Sequence, residues 1–422
     1  MKRNYFIVGL ILLIFFVISF LTNILGPLIP DIINSFSLSL TLAGFLPFSF
    51  FIAYGVMSIP AGMLIERYRE KPVLLAAFII AFAGSFFFAT LPYFPVALIS
   101  LFLIGIGMAM LQVAINPLLR VAGGEEHFAF NSVLGQLVFG LASFISPQVY
   151  TYLVLNLQDY SDRVNILIKS LAKVVPDNLP WISLYWVFAV VTLIMVLIIR
   201  AVRLPKVVLK EDERTGPWQT YRELFRKKLV ILYFLAIFAY VGSEQGVANW
   251  ISKFLATYHG YDPQTTGADT VSYFWGLMTA GCLLGLLLLK LFDSRRVLIG
   301  FSSAALICLS LALFGSAKLA LYAFPLVGFF ASVMWSIIFS LALNSVEKHH
   351  GSFSGILCTA IIGGAVVPLV VGWLGDLLGL RFGMMFLYIT LGYILSIGFW
   401  SKPLITNVTI SLRRKKAKVA SS

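Results

Sequence analysis

Charge is what this sequence of 422 residues has least of. Asp, Glu, Lys and Arg make up 12% of it, about half of what a soluble domain carries. Val73–Ser100 and Leu298–Ala317 have no charged residue at all. A bilayer span needs about 20 apolar residues, so these runs exclude a soluble protein and read as membrane helices. They are too continuous for barrel strands, which alternate over about 10 residues. Cysteine is scarce too. Cys282, Cys308 and Cys358 all lie inside apolar runs, which excludes a disulfide framework and leaves small packing residues. The four histidines, His127, His259, His349 and His350, fall in expected loops with no ligand spacing, so no metal site is expected.

What is present is apolar: 60% of the chain. The N-terminus begins like a signal peptide, but its apolar stretch is too long and lacks a small-residue cleavage site, so it reads as the first helix. Hydropathy places twelve spans, at about 6–30, 41–65, 73–91, 95–119, 129–152, 181–203, 229–256, 267–289, 297–316, 318–345, 353–376 and 382–400. The fold class expected is an all-α membrane protein of twelve transmembrane helices in two pseudo-symmetric six-helix bundles. The net charge of +13 does not point to nucleic acid, because of where it lies. With the N-terminus inside, 25 of the 31 Lys and Arg residues fall in inner segments. That bias puts both termini in the cytoplasm and turns the tail "RRKKAK" toward anionic headgroups.

The chain divides into an N-terminal bundle (1–203), a cytoplasmic linker (204–228), a C-terminal bundle (229–401) and a basic tail (402–422). The linker's "WQTYRELFRKK" puts Trp218, Tyr221, Leu224 and Phe225 on one helical face, as expected for a helix along the membrane surface. The loop between spans five and six has Val164, Leu167, Ile168, Leu171 and Val175 at helical spacing, which predicts an interfacial cap. Shifting the first half by 223 positions lays "FNSVLGQLVFG" (130–140) on "FSGILCTAIIG" (353–363), and Gly62 on Gly285. Two parallel six-span repeats joined by a basic loop are the pattern of a major facilitator transporter. "GMLIERYREK" (62–71) resembles the facilitator loop motif G-x-x-x-D-R-x-G-R-K, with Glu66 in the acid position. The resemblance makes Glu66 and Arg67 candidates for gating, although the arginines also serve as a plain topology signal.

Polar groups in hydrocarbon are costly and mark ion or substrate paths. Those far from span ends include Asn23, Gln112, Asn116, Asn131, Gln136, Gln245, Asn249, Trp250, Trp335 and Asn344, with one acid, Glu244. The set is nearly neutral. Amides both donate and accept, so they match hydroxyl groups, and indole faces stack on the C–H face of a sugar ring. An organic anion would call for buried arginines. The pattern favours an uncharged polyol. Gln112 and Asn116, four apart, share a helix face. Asn116-Pro117 also reads as relief of a proline kink, and Gln112 and Gln136 as interhelical hydrogen bonds.

The motifs "LQVAINP" (111–117), "YVGSE" (240–244) and "TAIIGGAVVPLVVGWLGD" (359–376) resemble those of the fucose:proton symporter family, most of all its glucose/galactose branch. The resemblance implies import of a neutral hexose by alternating access, with no organic cofactor and H⁺ or Na⁺ as coupling ion. It also implies that the fucose-type acids are missing, since Gly26 and Gln112 stand in their places. Val133 replaces an asparagine, with Asn131 half a turn away. Glu244 is then the expected coupling group, taking a proton or helping to hold Na⁺. Other readings are an uncoupled facilitator, an exporter of lipid- or drug-like molecules, and a non-transporting sensor. No enzyme is expected, because no nucleophile–base pair or His/Asp/Glu cluster is present. The remaining expectations are a monomer in the inner membrane, with sugar and lipid as partners.

Overall fold

The computed structural model describes residues 4–124, 128–159, 165–205, 218–346 and 348–404, without the side chains of residues 116, 128–130 and 218. Within them twelve helices are long and apolar enough to cross a membrane. Spans 1 to 6 are Tyr5–Phe36, Leu40–Tyr68, Glu70–Thr90, Phe94–Gly123, Asn131–Gln158 and Pro180–Ala201. Spans 7 to 12 are Lys228–His259, Pro263–Leu291, Ser294–Phe314, Ala317–Leu343, His350–Leu378 and Leu380–Trp400. The bundle end that carries Asn4 and Leu404 is called proximal here, and the opposite end distal.

Local chemistry sets the ends. Ser39 caps span 2 by accepting from the Leu42 amide, and Asp293 caps span 9 by accepting from Arg295, because the first helical amides lack partners of their own. Span 1 ends at Ser37 in the left-handed conformation, φ 52°. It runs six residues beyond the expected Pro30, since Asp31 and Asn34 remain helical.

Three spans are interrupted within the membrane. Span 1 breaks at Asn23–Ile24. Pro27 has no N–H for the Asn23 carbonyl, and its ring crowds that oxygen. Span 10 breaks at Ser332–Val333, and span 11 passes through a 3₁₀ turn at Ala360–Ile362. Irregular backbone at this depth is tolerated where it is buried in protein or lines a wet cavity.

The halves meet most extensively along two helix pairs, span 2 with span 11 and span 5 with span 8, and span 1 also packs on span 7. The internal repeat relates span 2 to span 8 and span 5 to span 11, so the repeat exchanges these two pairs. The seam is thus pseudo-symmetric. Its polar bonds gather at the distal end. Asp376 of span 11 accepts from the Leu40 and Thr41 amides of span 2 at 2.8 and 2.7 Å. Gln148 of span 5 donates to Asp269 and Ser272 of span 8 at 2.9 and 3.2 Å.

Two surface expectations change. Trp218–Phe225 is helical, but Tyr221 and Leu224 are buried against protein. Tyr221 lies beside Gly355 of span 11 and Ile59 of span 2, so the linker helix seats on the proximal seam. Among the described residues of the loop before span 6, Ile166–Leu171 is helical. Ile168, Leu171 and Val175 are buried while Leu167 is exposed, and Val164 lies outside the described residues. His259 and His350 sit in helix ends, not loops.

Candidate functional site

The break in span 1 places Asn23 midway through the bundle. Asn23 Nδ2 donates to Ser143 Oγ of span 5 at 2.8 Å, and Ser143 shares a 2.6 Å bond with Ser19 one turn below Asn23. Asn23 Oδ1 accepts from Gln245 Nε2 of span 7 at 3.4 Å. Gln245 Nε2 also reaches Glu244 Oε1 at 3.2 Å, and Gln245 Oε1 accepts from Asn249 Nδ2 at 3.4 Å. A chain of neutral amides and hydroxyls therefore crosses from one half to the other and ends on one carboxylate.

Glu244 is 16 residues into span 7, at its midpoint. Its side chain keeps partial exposure, while Gln245 and Asn249 are only 3% and 2% exposed. The Tyr240 ring, one turn before Glu244, lies 6.0 Å from the half-buried Trp335 of span 10. Trp335 stacks on Phe339 at 5.8 Å. Glu244 thus stands next to Gln245, the residue through which span 7 reaches Asn23 of the other half. The Gln245 amide that donates to Glu244 is neutral, which leaves the carboxyl free to exchange a proton or to bind a cation without first breaking an ion pair.

These residues are what such a site needs chemically. Amides offer donors and acceptors together, the Trp335–Tyr240 pair offers an apolar aromatic wall, and one acid can titrate. Two surface clefts, of 250 and 390 Å³, lie elsewhere, at Asp293–Arg296 and beside Lys169–Pro180, and include none of these residues.

Other sequence candidates are placed differently. Gln112 is half-buried on span 4, and Gln136 is exposed on span 5; neither joins the amide chain. The Asn116 side chain lies outside the described residues. Asn131 sits at the proximal end, against Gly123 in the last turn of span 4. Asn344 follows span 10, where its Nδ2 donates to Ser340 at 3.4 Å and its carbonyl accepts from Leu404 at 2.8 Å. Trp250 is fully buried with its indole N–H on the Pro368 carbonyl at 3.1 Å. It ties span 7 to span 11 and has no donor left for a ligand. Glu66 and Arg67 are exposed at the end of span 2, with Arg67 5.2 Å above the Tyr68 ring. Sequence reading passed over Ser19, Ser143 and Tyr240. Their only signal was the four-residue spacing of Ser19 from Asn23 and of Tyr240 from Glu244.

The family model described as Major Facilitator Superfamily matches residues 11–361. A glucose/galactose transporter of Brucella abortus biovar 1 (strain 9-941) is 31% identical over 400 residues, which is 93% of each chain. The L-fucose-proton symporter of Escherichia coli (strain K12) is 25% identical over 398 residues, 90% of this chain and 89% of that one. A crystal structure of the transporter FucP in the outward conformation superposes with a TM-score of 0.67 at 21% identity, covering 94% of this chain and 98% of FucP.

Proposed function

Since the chain belongs to the Major Facilitator Superfamily, we propose that it imports a neutral hexose of the glucose/galactose kind, driven by H⁺ or Na⁺ through alternating access. It is a membrane transporter and not an enzyme. The observation that carries the sugar reading is the amide chain from Ser143 through Asn23 to Gln245 and Asn249, which crosses the two halves beside Glu244. A hexose presents hydroxyls that both donate and accept, and only amides and hydroxyls answer both needs without fixed charge. The 31% identical glucose/galactose transporter and the fucose-proton symporter relative support the same substrate class.

In this reading Asn23, Gln245 and Asn249 bind the sugar, Gln112, Asn116 and Gln136 line the wall of the N-terminal half, and Trp335 stacks on the ring. Glu244 is the coupling group. Sugar held between Asn23 and Gln245 engages both halves, and an ion on the adjacent Glu244 neutralises its carboxylate, so the two together favour rocking of one half against the other. Glu66 and Arg67 guard the proximal end. The distribution of basic residues supports a cytoplasmic position for that end, in a protein of the inner membrane.

The test is uptake of labelled glucose, galactose, fucose and mannose by proteoliposomes, with imposed pH or Na⁺ gradients. One of these sugars should accumulate against its gradient and respond to one of the two ions. Equilibration without accumulation would mean an uncoupled facilitator, and binding without flux a sensor. Glu244→Gln should keep sugar counterflow yet abolish accumulation. A mutant that still concentrates sugar removes Glu244 from the coupling role.

A further inference from the structure

Two carboxylates outside the amide chain join Asp269 at the distal end of the seam. Asp31, in the second half of span 1, is only 8% exposed. It accepts from the hydroxyl of the fully buried Tyr150, in its own half, at 2.5 Å. It also accepts from Gln264 Nε2, in the other half, at 3.1 Å to Oδ1 and 3.2 Å to Oδ2. The Gln264 carbonyl in turn accepts from Thr151 Oγ1 of span 5 at 2.7 Å. One residue of the C-terminal half is therefore gripped twice by the N-terminal half. Gln264 sits in a π-helical turn, Pro263–Gly267, which opens span 8. The Asp262 carboxylate braces that turn by accepting from the Gln264 amide at 3.3 Å and the Thr265 hydroxyl at 2.6 Å. Such turns are rare and recur at functional positions.

The second grip is Asp376, in the last turns of span 11. Besides the two amides of span 2, it accepts from Thr41 Oγ1 at 2.5 Å. An anion at a helix N-terminus is favoured by the unpaired amides and the helix dipole. Both carboxylates receive neutral donors, and both bonds cross surfaces that must part if the distal side is to open. A bond meant only for permanence would be served as well by apolar packing. A buried acid in a span marks function instead.

We propose that Asp31 with Gln264, and Asp376 with the first turn of span 2, are the reversible clasps of the distal gate: they hold it shut in the conformation seen here and release when it opens. Each clasp joins a charged acceptor to neutral donors, so it biases the two states by one or two decades without locking either. The inference rests on the alternating-access reading but not on which solute is carried.

Hydrogen exchange followed by mass spectrometry, on the full chain in lipid nanodiscs without sugar, tests it. Gln264→Glu sets a second carboxylate against Asp31, Gln264→Leu removes the donor, and Asp376→Asn removes the charge at span 2. Each should speed exchange about tenfold in the distal turns of spans 2, 8 and 11, with unchanged or slower exchange at the proximal turns. Gln264→Glu should exceed Gln264→Leu. Faster exchange at both ends together would mean a loosened fold, and no change at either end would mean clasps that carry no bias; each result overturns the proposal. Should the Gln264 variants fail to assemble, Asp376→Asn and Thr41→Val, at an exposed site, carry the same comparison. A distal-only shift in a protein that moves no hexose would sink the sugar reading and leave the gate standing, and the reverse pattern would do the opposite.

Discussion

Asn23 shows how much one side chain is asked to do. Its backbone closes the first half-helix of span 1, its Nδ2 holds Ser143 and its Oδ1 receives Gln245. Replacing it with alanine strips a donor and an acceptor from the wall and leaves Gln245 short of a partner. A neutral hydrogen bond contributes about 1 kcal/mol net, so Asn23→Ala should raise the KM for sugar about fivefold to tenfold. Ser143→Ala, one step back along the chain, should cost less. Equal KM values for wild type and Asn23→Ala in an uptake assay would remove Asn23 from the site. The amides were legible in the sequence because an amide in an apolar run has few structural excuses. The hydroxyls were not. Ser58, Thr192 and Ser302 look the same in sequence, yet each donates to the carbonyl one turn back in its own helix, at 2.6 to 2.7 Å. Nothing local separates them from Ser19, which bonds across to span 5.

Among the helices, the spans themselves were readable from hydropathy, but their ends and breaks were not. Span 1 was cut short because Asp31 and Asn34 look like loop residues, and Asp31 finds its partners only in the folded molecule. The break at Asn23 has a local cause, which suggests a direct change. Pro27→Ala restores the N–H that the Asn23 carbonyl lacks and lets the helix run through. The protein should then melt at a higher temperature, while sugar uptake falls because Asn23 is turned away from Gln245. A rise in both would show that the break serves no transport purpose. Glycines divide in a similar way. A Cβ on Gly105 of span 4 would press into the backbone and Ala53 of span 2, whereas one on Gly300 meets nothing within 4 Å. Small residues let spans touch, so Gly105→Ala should lower the melting temperature and Gly300→Ala should leave it level or raise it. A thermal shift assay in detergent reads both.

At the level of the whole molecule, the two halves and their count of spans were visible from charge asymmetry and internal repetition. The way the halves join was not. Gln148 and Ser272 are 124 positions apart, and Asp376 and Leu40 are 336 apart, so no window of sequence carries either pairing. The pairing still follows a rule. In each seam pair the distal end of one helix supplies a polar side chain to the distal start of the other: span 11 to span 2, and span 5 to span 8. A transporter whose halves rock about a central site must break both distal contacts together, since the repeat makes them equivalent. Fixing either one should therefore arrest the cycle. In a chain whose three native cysteines are replaced by alanine, Gln148→Cys and Ser272→Cys joined by a short bis-thiol reagent should keep sugar binding, because the amide chain around Asn23 and Gln245 is untouched. Accumulation in proteoliposomes should cease, and return when a cleavable version of the reagent is cut. Transport that persists through a verified cross-link would mean that this seam never parts, and that solute crosses between the halves without the rocking that two equivalent helix pairs suggest.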